Sequence, residues 1–323
     1  MQLGEDENLP FDLKVILFAV GSGALSAILA LSLISGSGLA VILAYLAPFP
    51  LFLVGLGNGG KPAAIAAFAG IAFAMLIGGL YSGALYAAMN ALPSWLVVRL
   101  VLTSRTLEGR EEWFPIGSVL VTLSGYGSAL FVLALAVLPV GADGIAQMVK
   151  DFLSMALNTV AASLPAERKN DFVDTMTQLF PAMVLVSWML MTIINVVLAQ
   201  GVLTKSGKAL RPSPRYGEMT LPDFASWAFI GCAAITVLTD GDMDYVFRNL
   251  TLVMALPFLA LGLTVVHKLV RLTRFSGALL AAFYLLLLLS VWVAVPVIGL
   301  GLFEQWIGLR KRFLALTPSQ END

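Results

Sequence analysis

The residues with chemistry to offer lie inside apolar stretches. Tyr81, Tyr86 and Asn90 share one uncharged stretch, Ser124 and Tyr126 a second, and Gln178, Trp188 and Asn195 a third. Amides and phenols both donate and accept hydrogen bonds, and polar side chains at membrane depth face the interior of a bundle. Gathered together, these residues would line a pocket for a small, flat solute that is uncharged or weakly charged. Tyr81 and Gln178 would stand near its outer mouth. The plainer alternative is hydrogen bonding between helices, worth ~0.6 kcal/mol on average. Asn90 lies just before Pro93, where a helix is expected to bend and free a carbonyl.

Other patterns exclude chemistries. No acid or base sits clearly at the centre of an apolar stretch, which argues against a proton-driven carrier, although amides and backbone carbonyls would still suit sodium. Asp240-Gly241-Asp242-Met243-Asp244 opens like a calcium loop, but such a loop needs Gly sixth and Glu twelfth, where Tyr245 and Thr251 stand. An acidic turn is the expectation. His267 is the only histidine and has no partner at metal spacing. There is no phosphate loop, no nucleophile elbow, no His-Glu-x-x-His and no intramembrane aspartate pair. We therefore expect no catalytic residue, no metal and no cofactor, in a protein that is not an enzyme. The single cysteine, Cys232, excludes an intrachain disulfide.

A third pattern concerns packing. Ala19, Gly23 and Ala27 recur every four residues, with Ser22, Ser26 and Ala30 beside them. Small residues at this spacing let another helix approach closely. They serve either packing within the chain or the docking of a partner helix in the membrane.

All these residues must be positioned by membrane helices. The chain has 323 residues, 59% hydrophobic and 12% charged, with a mean hydropathy of +0.90. Soluble domains carry roughly 25% charged residues. The apolar runs are continuous rather than alternating, which selects helices over a barrel. The fold class is thus all-α, a polytopic transmembrane helical bundle of about nine helices, with eight as the alternative. From Pro62 to Val98 there is no charged residue, about enough length to cross twice. The expected helices are Val15–Ile34, Leu39–Leu56 (broken by Pro48-Phe49-Pro50), Pro62–Leu80, Tyr81–Leu102, Pro115–Val140, Met176–Leu203, Phe224–Thr239, Leu250–Lys268 and Gly277–Leu302. Residues 143–164 alternate apolar and polar positions with a helical period and read as an amphipathic helix in the interface. Glu167–Asp171 reads as a charged turn.

With the N-terminus in the cytoplasm, twelve Lys and Arg fall on inner segments against four outside, which sets that orientation. Arg310-Lys311-Arg312 breaks the pattern, because nine crossings would leave it outside. A re-entrant last hairpin broken at Pro296 would remove the conflict. The acidic start, Met1 to Glu7, lacks the basic region of a signal peptide, so the first helix is expected to be retained. The basic loop suggests three parts: a six-helix membrane domain over 1–204, a cytoplasmic loop over 205–222, and a three-helix region over 223–323. The net charge of −1 gives no reason to expect nucleic acid; the expected partners are the lipid bilayer and a small-molecule solute, in a bacterial inner membrane.

Certain stretches resemble a known family. Pro48-x-Pro50 followed by Gly59-Gly60-Lys61, Leu221-Pro222-Asp223 entering a helix, and Gly301-Leu302-Phe303-Glu304-Gln305-Trp306 before Arg310-Lys311-Arg312 are similar to the YybS-like bacterial integral membrane proteins (domain of unknown function 2232). The first six helices also resemble the substrate-binding subunits of energy-coupling-factor transporters. That resemblance implies that Ala19, Gly23 and Ala27 dock a membrane coupling subunit with ATPases, and that a solute pocket opens outward. The three further helices depart from that pattern.

Overall fold

The computed structural model describes residues 13–137, 144–160 and 165–315. In chain order these form α1 (Leu13–Leu31), α2 (Gly38–Tyr45), α3 (Pro48–Asn58), α4 (Gly60–Tyr86), a π-helical turn (Ala87–Ala91) and α5 (Leu92–Val101). Two strands follow, β1 (Ser104–Leu107) and β2 (Arg110–Trp113), then α6 (Ile116–Val137), α7 (Gly144–Val160), α8 (Ala166–Thr177) and α9 (Phe180–Lys205). The last elements are α10 (Phe224–Leu238), α11 (Gly241–Val270), α12 (Ser276–Leu289), α13 (Ala294–Ile307) and α14 (Leu309–Ala315). The fold is an all-α polytopic bundle. Among the described residues, six helical segments are long and apolar enough to cross a membrane, or up to seven if the bent pair α12 and α13 is one span. The acidic N-terminus, residues 138–140 of the fifth expected helix and the two ends of the expected interface segment lie outside the described residues.

One of those six segments, Gly60–Val101, has 42 residues and folds back on itself. A β-carbon on Gly70 would strike the Tyr86 ring, and one on Gly83 would strike Met75. A straight helix would hold Gly70 and Tyr86 ~24 Å apart. Both contacts centre on Gly78 and Gly79, and Gly79 has φ 77° and ψ −177°, open to glycine alone at no steric cost. The segment is a tight helical hairpin, with its reversal where two crossings were expected to meet.

By internal contacts the chain forms two compact units, Met1–Phe114 with Leu190–Ser213 and Pro115–Met189 with Pro214–Asp323. One division, between Ser213 and Pro214, falls within the expected loop at 205–222, whereas those after Phe114 and Met189 do not follow a linear boundary, because α9 contributes to both units.

In the first unit α1 packs on α4. Ala19 and Ala66 share one cluster with Leu51 and Val54, and Ala27 shares another with Ala67, Ala74, Tyr86 and Ala91. A β-carbon on Gly23 would fall on the Ala66 carbonyl oxygen, so here backbone meets backbone. The stripe expected to dock a partner is therefore covered by the chain's own α4: Ala19 and Ala27 are 0% exposed. Leu17, Phe18, Leu25 and Ile28 form the exposed face of α1. The unit also carries an exposed antiparallel hairpin of β1 and β2, registered Ser104↔Trp113 to Leu107↔Arg110. Glu108 (φ 50°) and Gly109 (φ 75°) make its turn, as a two-residue hairpin with both central φ positive requires.

The second unit is built around α11. Val121, Met219, Leu221, Ala225, Phe258 and Leu261 form its core. Gly262 faces the Val297 carbonyl and Gly301 the Phe258 carbonyl, an antiparallel contact of α11 with α13 that admits no side chain. Residues 167–171, expected as a turn, belong to α8, with Glu167 in its first turn, where the helix dipole favours an acid. The helices α7 and α8 run antiparallel, joined by Lys150–Asp174 at 2.6 Å and by Lys169 donating to Asn158 at 3.3 Å. The expected final helix is bent by 119° between α12 and α13. The break comes at Ser290, and Pro296 lies in the first turn of α13, where a missing N–H costs nothing.

The C-terminal cations find a place in this unit. Arg310 donates to the Gly217 carbonyl at 2.6 Å and the Met219 carbonyl at 2.7 Å, and pairs with Glu304 at 2.7 Å. Gln305 donates to the Leu221 carbonyl at 2.9 Å. Arg310 thus lies beside the loop that carries Arg215. The break expected at Pro296 lies instead at Ser290, between α12 and α13.

Candidate functional site

Each unit contains a proline-broken helix repaired by an asparagine. In the first unit Pro48 and Pro50 lack N–H groups, so the ladder between α2 and α3 loses donors. Phe49 N–H turns back to the Leu46 carbonyl at 3.0 Å. This leaves the Tyr45 carbonyl, which accepts from Asn195 Nδ2 at 2.7 Å. The Ala47 carbonyl accepts from Ser26 Oγ at 2.6 Å, and Ser26 Oγ in turn accepts from the Tyr86 hydroxyl at 2.7 Å. Asn195 and Ser26 are 1% and 0% exposed.

In the second unit the break lies between α8 and α9, before Pro181. The Thr177 carbonyl, which would have bonded residue 181, accepts from the Tyr245 hydroxyl at 2.8 Å. Asn249 enters the next gap: its Oδ1 accepts from Ala182 N–H at 2.9 Å and its Nδ2 donates to the Gln178 carbonyl at 3.2 Å. The amide stands in for a missing backbone bond. Arg248 holds the Gln178 side chain at 2.9 Å and also pairs with Asp244. Asp242 accepts from Ile145 N–H at the start of α7 at 3.3 Å. The acidic turn therefore anchors helices. Among the described residues no group of three or more His, Cys, Asp and Glu could hold a metal. His267 contacts the Leu263 carbonyl at 2.8 Å and Tyr284 at 3.3 Å.

The seven residues expected to line one pocket are divided between the units. Tyr81, Tyr86, Asn90 and Asn195 belong to the first, and Tyr126, Gln178 and Trp188 to the second. Tyr81, just after the Gly79 reversal, is 81% exposed. Gln178 is exposed too. Tyr126 stacks on buried Trp188 with ring centroids 5.9 Å apart, and Gly127 leaves room for that indole.

The most distinctive polar surface is in the first unit. Tyr86, Asn90 and Ser94, four residues apart, share one face and are 2%, 8% and 2% exposed. Asn90 lies in the π-helical turn Ala87–Ala91, the kind of bulge that recurs at functional sites. Pro93 accounts for the bulge by withholding a donor one turn on. Ser94 Oγ is buried without a hydrogen-bond partner. Every group on this face is neutral.

Sequence reasoning missed Ser94 and Asn249, and saw Ser26 only as a small packing residue and Arg211 only as a charge. Arg211 was counted as a loop charge, yet it is 6% exposed. It donates to the Val101 carbonyl at 2.8 Å and lies over the Trp113 ring at 5.5 Å. Asn249 had a signal, an amide following Arg248 at the edge of an apolar run, but nothing in the chain names its partner.

No curated protein and no solved structure matches the chain. A family model described as "Predicted membrane protein (DUF2232)" matches residues 24–304. That span takes in the Pro48–Pro50 break, the Asn90 turn, the Asn249 insertion and Glu304, and the chain belongs to this family of membrane proteins of unknown function.

Proposed function

We propose that this chain is the solute-binding membrane subunit of a transport system, with its solute held on the Tyr86–Asn90–Ser94 face of the first unit. The observation that carries the reading is the buried Ser94 hydroxyl without a partner, one turn from the buried Asn90 of the π-helical turn. Leaving such a group unpaired costs about 1–3 kcal/mol, a cost that a bound molecule with donors and acceptors would offset. The neutrality of the face favours an uncharged polar solute, since an ion taken there would be uncompensated.

The reading extends to a binding protein rather than an enzyme, in a bacterial inner membrane with its N-terminus in the cytoplasm. With Arg310, Lys311 and Arg312 beside the basic loop, that orientation would place fifteen of the nineteen Lys and Arg inside. A coupling partner with ATPases would have to dock elsewhere than on Ala19, Gly23 and Ala27, which α4 covers.

The test is purification of the tagged full-length protein in mild detergent, with mass spectrometry of retained small molecules and co-purifying proteins. A stoichiometric neutral metabolite, lost in Asn90→Ala and Ser94→Ala while the melting temperature holds, is the expected result. Retention unaffected by either substitution, or no metabolite at all, overturns it. A reproducible protein set lost on neutralising Lys205, Lys208 and Arg215 would instead favour a membrane scaffold.

A further inference from the structure

Within the second unit, α7 packs on α8 and α11 through one flank and leaves another uncovered. Ile145 at its start is buried, whereas Phe152 is 53% and Met155 67% exposed. Met148, Phe152 and Met155 are spaced four and three apart, so they form one stripe along the helix. Gln147, Asp151 and Asn158, all exposed, lie on the adjoining polar side.

Two observations say what covers this stripe. First, it joins the apolar surface of a spanning helix. The Phe152 ring lies 5.9 Å from that of Phe180, the first residue of α9, and Met183 and Val184 continue as exposed apolar residues along that helix. Second, the charges of α7 and α8 nearly cancel. Lys150, Arg168 and Lys169 stand against Asp151, Glu167, Asp171 and Asp174, and Lys150 is already paired with Asp174. A stripe continuous with lipid-facing surface and lacking a basic rim suits acyl chains, not an anionic headgroup.

We infer that α7 is a membrane-surface anchor whose Met148–Phe152–Met155 stripe enters the lipid beside the start of α9, independently of lipid charge. Surface helices of this kind bury their apolar face about 5–10 Å into the boundary of headgroups and acyl chains. The helix would thereby tie the α8–α9 break to the depth of the bilayer surface.

Site-directed spin labelling of the full chain tests this. In a Cys232→Ser background, single labels are placed through Phe152→Cys, Met155→Cys and Gln147→Cys. The protein is reconstituted in phosphatidylcholine vesicles, and in vesicles of equal parts phosphatidylcholine and phosphatidylglycerol. At 152 and 155 collision with oxygen should exceed collision with a water-soluble nickel complex severalfold, and at 147 the order should reverse. Both lipid mixtures and high salt should give the same result. Nickel access at 152 and 155 would overturn the inference, as would burial only in the anionic vesicles. Labels at 152 and 155 shielded from both quenchers would show a protein rather than lipid as the occupant. Met155 is so exposed that its substitution leaves the fold in place, which keeps the measurement decisive if Phe152→Cys is unstable.

Discussion

The two broken helices differ in what the prolines take away, and the two asparagines answer that difference. Between α2 and α3, Pro48 and Pro50 remove donors, so what remains is carbonyl oxygen. Donors suffice there. Asn195 supplies only its NH2, to the Tyr45 and Met191 carbonyls, and its Oδ1 is left buried without a partner. Between α8 and α9 the break leaves both a carbonyl, on Gln178, and an N–H, on Ala182. A whole amide is needed, and Asn249 uses both of its ends. The same residue type thus does unequal work. Inside a membrane an unpaired backbone group has no water to turn to, so the gap selects the side chain that matches its polarity.

The largest expected effect is at the fully used amide. Asn249→Ala leaves the Ala182 N–H and the Gln178 carbonyl unpaired, at about 1–3 kcal/mol for each group. It should lower the melting temperature in detergent more than any single substitution at the other break. Equal losses from Asn249→Ala and Asn195→Ala would erase the distinction.

A sharper test reverses a sign. Asn249→Asp keeps the acceptor for Ala182 N–H, so it should be less damaging than Asn249→Ala. Asn195→Asp keeps nothing that is used and turns an oxygen toward two carbonyls, so it should be worse than Asn195→Ala. If Asp ranks the same way against Ala at both positions, the polarity argument fails.

Smaller effects follow in the first unit. Asn195→Ala strands chiefly the Tyr45 carbonyl and should cost about 1–3 kcal/mol. Ser26→Ala removes the donor to Ala47 and the acceptor for Tyr86, and should cost about 1 kcal/mol. Tyr86→Phe should then add almost nothing in the Ser26→Ala background, because both changes break one chain of bonds. A fully additive pair, read from melting temperatures, would show that Tyr86 has another partner.

Much of this was legible in the chain. Pro48-Phe49-Pro50 announced the first break because proline lacks a donor wherever it stands. The uncharged run from Pro62 to Val98, about long enough for two crossings, placed a reversal near Leu80, but Gly79 as its pivot came only from the structure. The second break was hidden. Pro181 sits early in an apolar stretch, where a helix from Met176 reads as uninterrupted, and only the contacts of Tyr245 and Asn249 reveal the gap. The hairpin of β1 and β2 escaped because its strands are short, charged and exposed, without the alternation that marks a buried strand. The small-residue stripe was legible as a close helix contact, but not the identity of the helix contacted.

The sequence alone determined that this is a multi-pass helical membrane protein. Continuous apolar runs leave the backbone no partners but its own, and that constraint acts locally. Which side chains answer the broken ladders was decided only in three dimensions. Asn195 reaches Tyr45 across 150 positions, Asn249 reaches Ala182 across 67, and Arg310 reaches Gly217 across 93. Residue type states what a side chain can donate or accept. Packing alone brings it to the carbonyl that needs it, and packing also put the expected pocket residues into two units instead of one.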